Sequence, residues 1–396
     1  MSTAVGHSSA DSFATGPAGD TDAVEALIHN GGDRLRARMA RIELYLERVT
    51  SAAGAPLAEH ANATIMAGGK RLRPLLVVLA AESVGPEPAV LMVGSDFPPL
   101  TRGADSPPGP SSPGKPRSFP GGSSSPGGSG PPDTAAEEEQ RLIRAAVAVE
   151  LVHSATLVHD DVIDRAQLRR GRPTVAAQAG RQAAIATGDL LFSRAFAELA
   201  RNEDQAQLRA LSDASSALAA GELLQREDAY ASDVTIERYL RRCELKTAAL
   251  FEAACRLGAL VAAPDAAELA DALGAFARRI GLAFQILDDV LDVSGPVERT
   301  GKARGTDLLD GTVTLPLILA RERDSELVDI DLAGLRTGRQ AEELCDRIAS
   351  TGALAEARER ALAVVAEAKA VLPASLPAGR PMLLEQVADA VVARYR

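Results

Sequence analysis

The segment ELVHSATLVHDDVID (150–164) decides how this chain is read. It continues an apolar stretch that begins near Glu137, with no Gly or Pro and no period-two alternation, so the spacing predicts a long helix over 137–165. That helix ends in Asp160-Asp161-Val162-Ile163-Asp164. A second segment of the same form, GLAFQILDDVLD (281–292), ends in Asp288-Asp289-Val290-Leu291-Asp292. Positions i and i+4 share a helix face, so Asp160 and Asp164 point together, as do Asp288 and Asp292. Clustered carboxylates repel one another and are costly to bury without cations. Hard oxygen ligands of this kind suit magnesium, which keeps waters and bridges to phosphates. A solvated acidic helix end is the alternative for either cluster alone. Two copies, each behind a long apolar run (Leu151–Val158 and Ile280–Leu287), speak against it.

Outward from these segments the helical pattern extends over most of the chain. Amphipathic or apolar helices are expected at Ala23–Thr50, Leu72–Val84, Gln182–Arg201, Asp204–Leu224, Ile236–Val261 and Ala266–Val293, with shorter ones to the C-terminus. No stretch alternates with period two, and no repeat of fixed period occurs, so the expected class is all-α. Composition agrees: 46% of the 396 residues are hydrophobic but only 3% aromatic, with no Trp. Strands favour β-branched and aromatic side chains, whereas Ala, Leu, Glu and Arg favour helices. The net charge of −11 argues against a nucleic-acid partner, which requires a basic face.

One stretch departs from the pattern. Gly94–Thr134 is rich in Gly, Pro and Ser and holds about half of the chain's 23 prolines. It cannot bury enough apolar surface to offset chain entropy and is expected to be a disordered insertion within one domain spanning 21–396. Met1–Asp20 lacks a basic n-region and an apolar core and is expected to be a disordered leader. The longest apolar run, Leu75–Ala81, is far short of the roughly 18 residues of a transmembrane segment, so none is expected. Cys243, Cys255 and Cys345 have no CxxC spacing and form no even framework, as expected of thiols in a reducing cytoplasm.

Carboxylates with bound cations imply an anion, and basic groups stand at suitable places. GGKRLRP (68–74) lies at an expected helix start, where glycines allow close backbone approach and the helix terminus favours phosphate. Lys70 and Arg73 can both reach an anion there. Arg169 and Arg170 follow the first aspartate cluster in an expected loop. Lys246-Thr247 lies within a helix, and Lys302 in the Gly-containing stretch 300–311, which reads as a mobile lid. Each basic group alone is more often a solvated surface. Together with the clusters and the apolar helices they suit a diphosphate joined to a greasy chain.

With these residues assembled, the chain resembles the trans-isoprenyl diphosphate synthases of the polyprenyl synthetase family. The stretches that carry the resemblance are GGKRLRP (68–74), ELVHSATLVHDDVIDRAQLRRGRPTV (150–175), GDLLF (188–192), GELLQ (221–225), KTAALF (246–251), GLAFQILDDVLD (281–292) and GKARGTDLLDGTVTLP (301–316). They occur in the family's order between residues 68 and 316, and the resemblance covers the chain from about residue 25 to the end, apart from the insertion.

The resemblance implies a helical bundle around a deep central apolar cavity, a homodimer, and transfer of an allylic group onto isopentenyl diphosphate. It implies magnesium, three ions with substrate bound, on Asp160, Asp164 and Asp288, with Asp161, Asp289 and Asp292 completing the clusters. Lys70, Arg73, His153 and Arg170 match the isopentenyl diphosphate site. Arg169, Lys246, Thr247, Gln285 and Lys302 match positions around the allylic diphosphate. The family usually has Lys where Thr312 stands, so one lid cation is missing. In the family, bulky aromatics four and five residues before Asp160 stop short products. Thr156 and Ala155 stand there, a helical turn (about 5.4 Å) deeper than Asp160, with Val152 below them. The expected product is therefore longer than farnesyl. A class I terpene cyclase is the main competing enzyme, but the second DDxxD and the basic loop at Lys70 do not suit it. A non-catalytic subunit of a hetero-oligomeric synthase typically lacks the aspartates present here. A metal phosphohydrolase built on His159-Asp160 lacks further His ligands.

Overall fold

The computed structural model describes residues 21–52, 54–85, 134–295, 304–376 and 379–393. The leader, the stretch 94–133 and Lys302 lie outside the described residues. Among the described residues up to 295, the α-helices are α1 (Thr21–Asn30), α2 (Gly32–Ser51), α3 (Leu57–Met66), α4 (Leu72–Val84), α5 (Thr134–Ile163), α6 (Val175–Ala179), α7 (Arg181–Ala200), α8 (Gln205–Glu227), α9 (Ile236–Cys243), α10 (Ala249–Ala262) and α11 (Ala267–Ser294). Shorter helices follow, from Thr306–Leu309 to Pro381–Ala393. The only strands among the described residues are a hairpin, β1 (Leu168–Arg169) and β2 (Arg172–Pro173), where a loop was expected. It turns at Arg170 and Gly171, both at positive φ.

α5 is the axis of the bundle. From Leu142 to Val152 it is buried on every face, because Ala and Val fill the positions that a surface helix gives to polar residues. α4 and α7 pack along it, and α10 lies against both α4 and α5. α11 packs on α10 with Leu273, Ala277 and Ile280 inward. Buried side chains from α1 to the last helix form one hydrophobic cluster. α5 is long and apolar enough by composition to cross a membrane, but 78% of its most apolar window is buried inside the protein, as in a core helix.

Two expected helices are divided. The 23–50 pattern breaks at Gly31–Gly32, where Gly32 takes φ +84°. The 236–261 pattern holds a π-helical turn at Glu244–Ala248 between α9 and α10. A π turn adds one residue to the helical ladder and re-aims the side chains it contains. Lys246 and Thr247 are in it. Its backbone fits against α8 because residue 221 is Gly: a Cβ there would collide with the backbone of Lys246.

The two helix ends that flank the undescribed stretch lie side by side. Arg38 of α2 bridges Glu82 in the last turn of α4 (2.7 Å) and Glu139 near the start of α5 (2.7 Å). All three side chains are largely buried. Lys70 and Arg73 stand at the opposite end of α4, about 20 Å away for a helix of 13 residues. Replacing Arg38 by Met leaves two carboxylates facing each other in a half-dry setting. It should cost about 3 kcal/mol, measured as a lower urea midpoint; an unchanged midpoint would show that the bridge does not hold the two ends. Excising 94–133 and joining the ends with a short linker should leave the unfolding midpoint and turnover nearly unchanged. A large loss of turnover would show that this stretch serves the site.

Candidate active site

The aspartate clusters stand at the C-terminal ends of α5 and α11, where apolar helix gives way to loop. Asp164 lies just past α5, yet its N–H still donates to the Asp160 carbonyl at 2.8 Å, so the helical spacing of the pair is kept. Both carboxylates face the last turns of α8. Lys246 Nζ lies 4.0 Å from Asp160 Oδ2 and donates to Glu222 of α8. Arg226, one turn further along α8, donates to Asp164 and reaches Glu222 at 2.9 Å. Burial pushes the Asp160 carboxyl up to about 6; Lys246 opposes this, and the nearby Glu222 and Asp164 charges add to it. Burial also works against charge on Glu222, yet Lys246 and Arg226 hold its carboxyl below the usual range. Asp161 points away from this pair and is buried, accepting from Arg169 Nε at 2.7 Å.

The second cluster is built differently. Asp289 is buried and accepts from the Tyr239 hydroxyl at 2.7 Å and from Gln285 Nε2 at 2.7 Å. Gln285 in turn accepts from the Thr247 hydroxyl at 2.7 Å. Burial, with Asp307 and Asp288 adding to it, pushes the Asp289 carboxyl up to about 8 against the pull of those two hydrogen bonds. Asp288 and Asp292 are half-buried at the same helix end. Asp292 accepts from the Asp307 N–H at 3.3 Å and so ties α11 to the segment at Gly305–Thr314. Tyr230 donates its N–H to the Gly311 carbonyl at 2.8 Å, and Arg242 donates to the Val313 carbonyl, so that segment is also tied at its far side.

A cavity of about 190 Å³ brings the two clusters together. Asp164 lines it from one side and Asp289 from the other, with Lys246, Thr247, Gln285 and Thr312. A second cavity, about 300 Å³, shares the end of α5 as a wall and is lined by His153, Asp161, Arg169 and Arg170. Here the charge is positive. Burial holds the His153 imidazole well below its usual range, and Arg73, Arg170, Arg169 and Arg71 push the same way. Arg170 lies against the Gly68–Gly69 backbone, where a Cβ on Gly69 would come within 3.1 Å of its Nη1. Arg73 Nε is buried with no hydrogen-bond partner, and the guanidinium sits 4.8 Å from the Phe251 ring centre. Burial brings its pKa down to about 10, with Arg170 adding to the effect and Glu150 opposing it. A buried donor left open among like charges fits an incoming anion.

The expected residues thus fall into two groups around the end of α5, with Arg169 lining the arginine-rich cavity and not the cavity between the clusters. Sequence reasoning missed several others. Arg71, beside Lys70 and Arg73, takes φ +48° and pairs with Glu43 and with Glu150 at 2.7 Å, so it anchors the loop to α2 and α5. Glu222 and Arg226 sit in or next to the GELLQ stretch, which carried no assigned role. Tyr239 had no signal beyond helical periodicity. Along the face of α5 below Asp160, Thr156 is half-buried and donates to the His153 carbonyl at 2.7 Å, while Ala155 and Val152 are fully buried.

The donor set of the clusters is all oxygen, which fits a hard divalent cation. Among the described residues no three His, Cys, Asp or Glu side chains converge closely enough to hold an ion by themselves. An ion here would complete its shell with substrate oxygens and water.

Comparison with known proteins agrees with this arrangement. The polyprenyl synthetase family model matches residues 127–348. A geranylgeranyl diphosphate synthase of Methanosarcina mazei is 33% identical over 83% of this chain and 86% of its own length. Heptaprenyl diphosphate synthase component 2 of Geobacillus stearothermophilus is 36% identical over 71% of this chain and 72% of its own. The crystal structure of a polyprenyl synthase from Caulobacter crescentus, complexed with calcium and isoprenyl diphosphate, superimposes with a TM-score of 0.75 at 30% identity, covering 96% of this chain and 99% of that one. A family match over more than half of the chain, together with relatives aligned over most of their length, shows that this chain belongs to the polyprenyl synthetase family.

Proposed function

We propose that this chain joins isopentenyl diphosphate to an allylic diphosphate, head to tail and in trans geometry, giving a polyprenyl diphosphate longer than farnesyl. The observation that carries the reading is the pair of cavities sharing the end of α5, one rich in arginine and the other lined by one aspartate of each cluster, Asp164 and Asp289. His153 and Arg170 of the first, with Lys70 and Arg73 from the start of α4, hold the isopentenyl diphosphate. In the second, Lys246, Thr247 and Gln285 orient the allylic diphosphate, with Arg169 reaching from the wall between them and Lys302 from the lid. Asp160, Asp164 and Asp288 are the residues that would hold magnesium, supported by Asp161, Asp289 and Asp292. When bound, magnesium (three ions with substrate) supplies positive charge to the leaving diphosphate.

The allylic carbon–oxygen bond breaks, and its electron pair leaves with the diphosphate. The isopentenyl double bond attacks the allylic carbon to form the new carbon–carbon bond. One proton is then lost to the departed diphosphate. No protein nucleophile takes part. The chain's own work is to fix two anions at a distance set by α5 and to aim the growing apolar tail along that helix. Three buried, unpaired thiols suit a reducing cytoplasm. We take the working form to be a homodimer. The Geobacillus relative's designation as component 2 favours a second reading, in which this chain works with a different subunit.

The purified protein with magnesium, isopentenyl diphosphate and each allylic primer in turn should give products longer than farnesyl. Cyclised hydrocarbon would point to a cyclase, and turnover only after a second protein is added would favour the two-component reading. Asp160→Asn should lower kcat about 100-fold. Removing that charge relieves its repulsion with Glu222 and Asp164, so the unfolding midpoint should hold or rise; a midpoint that falls along with kcat would assign Asp160 a structural role. Phe at Ala155 should shorten the product, but it must displace packed neighbours. Thr156→Phe shares the Asp160 face and is the cleaner test. Product lengths unchanged in both variants would rule out this floor.

A further inference from the structure

Every cation lining the cavity between the aspartate clusters is already paired. Arg242 is buried and committed to Asp228 (3.1 Å) and to the Val313 carbonyl, so it holds structure. Lys246 is held by Glu222. Arg226 is held by Glu222 through Nε and by Asp164 through its terminal nitrogen. Its side chain is 39% exposed and Asp164's is 31%, so this pair stands at the open side of the cavity with room to rearrange.

An ion pair between two partly exposed side chains contributes little to stability. Its chemical consequence is larger. While Arg226 Nη2 occupies Asp164 Oδ1, that oxygen is not available to a metal ion and that nitrogen is not available to a phosphate. A divalent cation arriving with a diphosphate would remove both constraints at once: Asp164 would be free to hold the cation, and the Arg226 guanidinium free to meet the phosphate.

On the reading given above, we propose that Arg226 is a diphosphate-binding residue that exchanges partners, from Asp164 in the resting protein to the allylic diphosphate in the loaded one. The exchange favours metal and diphosphate binding together over either alone. It also gives Arg226 two effects of opposite sign: it weakens binding of metal alone, because it competes for Asp164, and it strengthens binding of metal with diphosphate.

The test is calorimetric, on the full-length protein, with Mn2+ alone and with inorganic diphosphate in saturating Mg2+. Arg226→Leu should tighten Mn2+ binding several-fold and weaken diphosphate binding about tenfold, the scale of one charge-assisted hydrogen bond. Arg226→Lys keeps the charge and should hold diphosphate affinity within a few-fold of the parent. Unchanged diphosphate affinity in Arg226→Leu would overturn the proposal. So would weakening of both ligands, which is the signature of a damaged site, or weakening by Arg226→Lys as severe as by Leu. Prenyl transfer by the parent protein is measured separately. Its absence would defeat the proposed function and leave the binding result to judge the exchange.

Discussion

The structure depends on carboxylates gathered at the ends of two helices whose bodies form the core. Charge collected in a half-buried place is costly unless it is paired or hydrogen-bonded. The protein meets this cost in three ways. Lys246 and Arg226 face Asp160 and Asp164 directly, and Glu222 holds both cations in place. Arg169 takes Asp161. Tyr239 and Gln285 hydrogen-bond Asp289, which burial and its acidic neighbours nonetheless push up to about 8. The residual strain is electrostatic, and it is what a cation and a diphosphate together would relieve.

That constraint explains why so much of the molecule is devoted to placing a few side chains. α5 and α11 must be apolar along their bodies to be held in the core, and acidic only where they emerge. The π turn between α9 and α10 brings Lys246 towards Asp160 and Thr247 towards Gln285 at the same time. The missing Cβ of Gly221 lets α8 approach closely enough for Glu222 to serve both Lys246 and Arg226. The arginine-rich cavity on the other side of α5 carries the opposite imbalance. His153 resists protonation there among four guanidinium groups, one of which, Arg73, keeps a buried Nε without a partner.

The long helices were legible because their apolar runs are uninterrupted. Leu72–Val84 forms over the expected span, and the 266–293 helix differs by one residue at each end. The two breaks were not legible. A pair of glycines inside a periodic pattern is compatible with a continuous helix, and a π turn leaves no mark in hydrophobic periodicity. In the site, the aspartates and the basic loop were legible from residue type and spacing. Which arginine of Lys70–Arg73 anchors the loop and which is left open was not, since that depends on Glu43 and Glu150, about 30 and 80 residues away in the chain.

By itself, then, the sequence determined an all-α chain with two aspartate clusters at i, i+4 spacing and basic groups near them, because helical periodicity and side-chain chemistry are local properties. The tertiary structure alone decided which charges meet. Glu222 and Arg226 stand among the carboxylates, Arg71 is committed to Glu43 and Glu150 at the wall of the arginine-rich cavity, and one aspartate of each cluster lines a shared cavity. Ion pairs and cavities form between segments distant in sequence, and their partners are set by how the helices pack.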